Sequence, residues 1–98
     1  MNFEYLFQKI SACVSQDKAL TIEEWLLYLQ EECGEVAACV ATEKGLKNKK
    51  LKETSQEELV DVIITALAAY IFSGGTESHL NSYALKKVRK WENRLQSR

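Results

Sequence analysis

Two acidic clusters, Glu31-Glu32-Cys33-Gly34-Glu35 and Glu57-Glu58-Leu59-Val60-Asp61, are the residues of this chain best suited to chemistry. Residues three apart on a helix lie about 60° from each other around the axis, so their side chains converge. Glu32 and Glu35 therefore share one face of one helix, and Glu58 and Asp61 one face of another, each flanking an apolar stripe. No lysine or arginine stands between Lys18 and Lys44, and none between Lys52 and Lys86, so neither face can be neutralised by ion pairs within its own helix. Like charges held beside apolar surface are costly unless a cation compensates them. A ligand set of carboxylate oxygens, with no histidine or cysteine in it, suits Mg²⁺, with Mn²⁺ as a substitute. Glu23, Glu24, Glu53 and Glu57 read as solvated acids or as partners of helix N-termini.

The elements that must position these acids are helices. The chain has no proline, and its four glycines (Gly34, Gly45, Gly74, Gly75) interrupt a sequence otherwise rich in helix formers. Apolar spacing predicts a first helix from about Asn2 to Val14, carrying Phe3, Leu6, Phe7, Ile10 and Val14. Thr21 with Glu24 forms a capping box opening a second helix to about Thr42, whose stripe is Ile22, Trp25, Leu26, Leu29, Cys33, Val36 and Val40. The lysine-rich EKGLKNKKLKE reads as a solvated loop. Ser55 with Glu58 predicts a second capping box and a third helix to about Ser73, ended by Gly74-Gly75. A fourth helix, about Glu77 to Leu95, has Leu80, Ala84, Val88, Trp91 and Leu95 as its core stripe. Short connections make these antiparallel neighbours in one all-α domain over residues 1–98, a four-helix bundle.

The third helix is apolar nearly all round, LVDVIITALAAYIF, and three short helices cannot cover it on every side. The bundle is therefore expected to be completed by oligomerisation, as a homodimer or homotetramer. At 98 residues, 28% charged, with net charge −1, the composition is that of a globular domain without the basic excess of a nucleic-acid binder. No apolar run reaches the roughly 20 residues of a membrane span, and the N-terminus has no secretory signal pattern. Cys13, Cys33 and Cys39 lack metal-binding spacing and read as reduced, small core residues of a cytoplasmic protein.

The order E-E-x-x-E at residues 31–35, then E-x-x-D at residues 58–61, resembles the signature of the all-α nucleoside triphosphate pyrophosphohydrolases. That superfamily includes MazG, the dimeric dUTPases and phosphoribosyl-ATP pyrophosphohydrolase. The strings EECGEVAACV and QEELVDVIITALA are in its style, and the helix order fits over about residues 20 to 95. The resemblance implies a MazG-like fold in which Glu32, Glu35, Glu58 and Asp61 hold Mg²⁺, with Glu35 or Glu32 positioning the attacking water. Glu31 is an additional acid, second to the metal or solvated. Phosphoribosyl-ATP enzymes usually follow their aspartate with tyrosine-histidine, whereas Asp61 is followed by VIITAL. Dimeric dUTPases are normally much longer. A compact single-domain MazG-like enzyme fits best, one hydrolysing a nucleoside triphosphate, chiefly a deoxynucleotide, in nucleotide-pool cleansing. Ferritin-like di-iron proteins need Glu-x-x-His, which the single histidine, His79, does not supply.

Cationic residues for the phosphates lie on the last helix, where Lys87, Lys90 and Arg94 follow at i, i+3 and i+7. The family's K…N…R run there resembles KVRKWENRL with its asparagine displaced to Asn93, which leaves Lys86 and Arg89 as alternatives. Trp25, Tyr28, Phe7 and Trp91 are the aromatics able to stack on a base, Trp25 and Trp91 fitting core positions better. Tyr28 lies one turn before Glu32. Thr65 lies one turn after Asp61, where family members place a base-contacting side chain. The competing readings are a non-catalytic helical oligomerisation module with an acidic binding face, and phosphoribosyl-ATP hydrolysis.

Overall fold

Asn2, Thr21, Thr54 and Thr76 each accept a hydrogen bond from the backbone N–H three residues on, and each opens a helix. In this computed structural model, which describes residues 2–47 and 50–97, the four helices are α1 (Phe3–Gln16), α2 (Ile22–Glu43), α3 (Ser55–Phe72) and α4 (Glu77–Gln96). Asn48 and Lys49 of the lysine-rich connection lie outside the described residues. There is no strand among the described residues. Nor is any single helix among them long and apolar enough to cross a membrane.

The cap of α3 is one residue earlier than the sequence suggests. Thr54, not Ser55, takes the Glu57 N–H, and the Glu57 carboxylate accepts in return from the Thr54 N–H at 3.2 Å. This shift releases Glu58 from capping and leaves its carboxylate for the helix interface. Thr54→Ala should cost about 1 kcal/mol of stability, the usual worth of an N-cap. Urea unfolding followed by circular dichroism measures it, and an unchanged midpoint would refute the cap's role.

Two glycines stop the central helices by the same device. Gly45 (φ 77) and Gly74 (φ 95) adopt the left-handed conformation that favours glycine. After each, the next N–H reaches five residues back: Leu46 to Ala41 at 2.8 Å and Gly75 to Tyr70 at 3.0 Å. These are Schellman closures that satisfy the last carbonyls.

Contacts along their length show that α2 and α3 run antiparallel. Trp25, near the start of α2, meets Phe72 at the end of α3, with ring centroids 6.4 Å apart. At the other end, Glu43 accepts from the Ser55 N–H at 3.1 Å, and the Cys39 thiol donates to the Glu53 carbonyl at 3.5 Å. Helix α1 lies against α3. The core is small: Ile10, Ala19, Trp25, Ala68 and Ala69, with Leu6, Val14, Ile22, Leu67, Ile71 and Phe72 packed around it.

Helix α4 does not join this core within one chain. It leaves the Gly74-Gly75 turn at 119° to α3 and buries no residue. Leu80 alone of its expected core stripe is half-buried; Ala84, Val88, Leu95 and Trp91, the last at 57% exposure, face outward. The packed unit of the isolated chain is thus three-helical, with the fourth helix unpartnered. Two other expectations change with it. Cys39 alone of the cysteines is buried, Cys13 and Cys33 being exposed. Leu26 and Cys33 turn outward, and the inward line of α2 passes instead through Trp25, Leu29, Glu32, Val36 and Cys39.

Candidate metal centre

That inward line puts a carboxylate where a hydrophobe belongs. Steps of four and three from Trp25 lead to Glu32 in the middle of the α2–α3 seam. On α3 the corresponding line runs through Glu58, Asp61, Thr65, Ala68 and Phe72, so two more acids and a hydroxyl face the same seam. Antiparallel packing brings them opposite one another. Glu32, Glu58 and Asp61, each half-buried, can offer oxygens that all lie within 4.8 Å of one another. Glu35, one turn further along α2, is exposed and stands outside this converging set, near enough to Glu58 for its charge to raise the Glu58 carboxyl.

Two of these oxygens are orphans. Glu32 Oε2 and Glu58 Oε2 are buried with no hydrogen-bond partner. Burial above all, then the charges of Glu35, Asp61, Glu58 and Glu31, hold the Glu32 carboxyl above its ordinary value of 4.5. Burial also leads for Glu58, followed by the charges of Glu53, Glu35 and Asp61, all raising it. Like charges pressed together and orphaned acceptors are what a bound cation relieves. The donors are all oxygen, and two oxygens on opposite sides of one Mg²⁺ lie about 4.2 Å apart. The residues therefore fit a small hard divalent ion.

No family of known proteins, no curated protein and no solved structure matches this chain. The chemistry must be read from the residues themselves.

Around the acids the structure arranges the remaining candidates unequally. Thr65 lies on the seam one turn beyond Asp61. Tyr28 is exposed and leans edge-on against Trp25, centroids 5.7 Å apart. Lys86, Lys87, Arg89, Lys90 and Asn93 line one open hollow on α4, without Arg94. Helix α4 leaves α3 at a bend of 119°, and among the described residues none of α4 lines the hollow that holds Glu35 and Glu58.

The connection between α2 and α3 does supply cations. Lys50 and Lys52 line a 280 Å³ hollow with Glu35, Cys39 and Glu58. Both lysines are exposed, as a solvated connection implies, yet they stand beside Glu35 and Glu58. The available signal was position: the lysines immediately precede the cap of the helix that carries Glu58.

Because folding raises the Glu32 and Glu58 pKa values, these two carboxyls hold more protons in the folded chain than in the unfolded one as pH climbs above 4.5. Their contribution to the stability of the metal-free protein therefore falls as pH rises through that window. Thermal melts in EDTA should give a higher Tm at about pH 5 than at pH 7, with Mg²⁺ recovering stability at pH 7. A metal-free Tm that rises from pH 5 to 7 would contradict this.

Proposed function

We propose that this protein is a Mg²⁺-dependent pyrophosphohydrolase that splits a nucleoside triphosphate, chiefly a deoxynucleotide, into the monophosphate and pyrophosphate. The observation that carries the reading is the convergence of Glu32, Glu58 and Asp61 at core positions of the α2–α3 seam, with two orphaned oxygens. A purely structural seam would ordinarily be apolar; a divalent cation would compensate three half-buried acids brought together there. Glu32, Glu58 and Asp61 would hold the ion, and Glu35 would complete the set from its edge.

When bound, Mg²⁺ supplies Lewis acidity at the α-phosphate and offsets the charge of both acids and substrate. Glu35, exposed and beside Glu58, is placed to orient a water and accept its proton, with Glu32 as the other candidate. The water oxygen bonds to the α-phosphorus, the bond from that phosphorus to the bridging oxygen breaks, and pyrophosphate leaves with the electron pair. Lys50 and Lys52 stand where they can steady the phosphates from the same chain. Lys87, Lys90, Asn93 and Arg94 serve from α4 of a second subunit, within a four-helix bundle completed by oligomerisation.

A nucleotide panel assayed with Mg²⁺ for monophosphate and pyrophosphate release tests the reading directly. Absence of pyrophosphate from every nucleotide, or turnover that survives EDTA, would overturn it. In the same assay Lys87→Ala, Lys90→Ala and Arg94→Ala should each lower kcat/KM, by about tenfold for a charge-assisted phosphate contact. Metal affinity should not change. Unaltered kinetics in all three would leave α4's cations as a solvated face.

A further inference from the structure

Two adjacent glycines, Gly74 and Gly75, join α3 to α4, and such a pair would ordinarily make a free joint. Here one residue ties the turn down. The Tyr70 carbonyl accepts from the Gly75 N–H at 3.0 Å and from the Ser73 hydroxyl at 2.6 Å. The Tyr70 hydroxyl crosses the turn and donates to the Thr76 carbonyl at 2.9 Å. That same oxygen takes the first backbone bond of α4, from the Leu80 N–H. The half-buried Tyr70 ring fills the space where a side chain on residue 75 would begin, so that a Cβ there would overlap it. Beneath the turn the end of α3 is anchored, because Ile71 and Phe72 pack on the core and Phe72 meets Trp25.

A fixed turn matters because α4 is a long lever that buries none of its residues within its own chain. Lys90 stands about 21 Å along the helix from Thr76, so each 10° or so of swing at the turn moves it by about 3.5 Å. That exceeds the length of a hydrogen bond, and a misplacement of about 1 Å can cost roughly a hundredfold in rate. Resting on the pyrophosphohydrolase reading, with α4 serving a second subunit's site, we propose that this turn is a fixed elbow and Tyr70 its strut. Tyr70 is then a positioning residue. It acts through the angle of α4, setting the line along which that helix meets the second subunit.

Amide exchange followed by NMR reads the elbow without reference to catalysis. In the wild-type protein the Gly75 N–H should be as protected as the amides in the last turn of α3. Tyr70→Phe keeps the ring and removes the strut, and should speed exchange at Gly75 and Leu80 about fivefold, the worth of one hydrogen bond. An unprotected Gly75, or unchanged exchange in Tyr70→Phe, overturns the elbow. Gly75→Ala puts a methyl where the ring stands. It should weaken self-association in light scattering and lower kcat/KM about a hundredfold, with Mg²⁺ affinity kept. Adding Tyr70→Ala clears the ring away, so the double variant should lose less than the two single losses combined. Additive losses, or wild-type association and turnover in Gly75→Ala, overturn the positioning role even where the amides are protected. If Gly75→Ala does not fold, Tyr70→Phe decides instead: its dimer should dissociate more readily, and unchanged association overturns the role. A wild-type monomer leaves α4 no second subunit to meet and overturns it too. A dimer that hydrolyses no nucleotide overturns the reading of the site, while exchange and association still judge the elbow.

Discussion

Glu32→Gln, Glu58→Gln and Asp61→Asn should each reduce Mg²⁺-dependent turnover by at least about a hundredfold while the protein stays folded. Loss of even an outer partner of a metal ligand costs 10–100-fold, so loss of a ligand charge should cost no less. The same changes should act oppositely on stability. Each removes one member of a set of like charges, and Glu32 and Glu58 are held with an orphaned buried oxygen apiece. In EDTA at pH 7, Glu32→Gln and Glu58→Gln should therefore raise Tm, and Mg²⁺ should no longer add to it. Function lost with stability gained is the signature of a built ion site, because a structural carboxylate would lose both. Glu35→Gln should abolish turnover but disturb metal affinity less, since Glu35 stands outside the converging three. Glu23→Gln and Glu24→Gln, in the first turn of α2 and away from the seam, should leave activity near wild type. Circular dichroism, turnover and Mg²⁺-dependent melting decide the matter together. Full activity in any two of the Glu32, Glu35, Glu58 and Asp61 variants removes the metal assignment.

Sequence periodicity located all four helices because caps and stops are local chemistry. Thr21, Gly74 and the i, i+3 acids each act within one turn, so their meaning survives without tertiary context. The convergence of Glu32 with Glu58 and Asp61 followed from antiparallel packing alone. What could not be read locally was which side of α2 faces inward. Leu26 and Cys33 fit an apolar stripe as well as Cys39 does, and only the seam with α3 selects Cys39 and brings Glu32 into line. The cap register at Thr54-Ser55 was ambiguous for a similar reason, two adjacent hydroxyls each having a glutamate three residues on. The place of Lys50 and Lys52 beside Glu35 was not legible because a loop's charges carry no periodicity; it depends on how the connection closes.

Gel filtration with light scattering at micromolar concentration should show a dimer at least, with a tetramer as the larger closed form. The reason lies in surface that one chain cannot hide. A compact monomer of 11.2 kDa is expected to expose about 5,700 Å². This chain exposes 7820 Å², and its radius of gyration is 16.2 Å against about 13 Å for a compact domain of that length. The excess, about 2,100 Å² by that scaling, is more than twice what each partner buries in a standard interface, about 800 Å². It is also apolar where it counts. Leu59, Val60, Ile63 and Ile64 on α3 and Tyr83, Leu85, Val88, Trp91 and Leu95 on α4 are all exposed. Soluble monomers rarely leave such a patch open. A two-fold partner laying its α4 along this face would bury both stripes at once, and the same helix would carry Lys87, Lys90 and Asn93 toward the first subunit's acids. Val88→Glu and Trp91→Glu, on the outer stripe of α4 and away from the seam, should therefore dissociate the assembly and lower turnover together. If either variant becomes a folded 11 kDa species that keeps wild-type activity, the site is complete within one chain and α4 takes no part in it. A wild-type monomer at micromolar concentration would overturn the assembly outright.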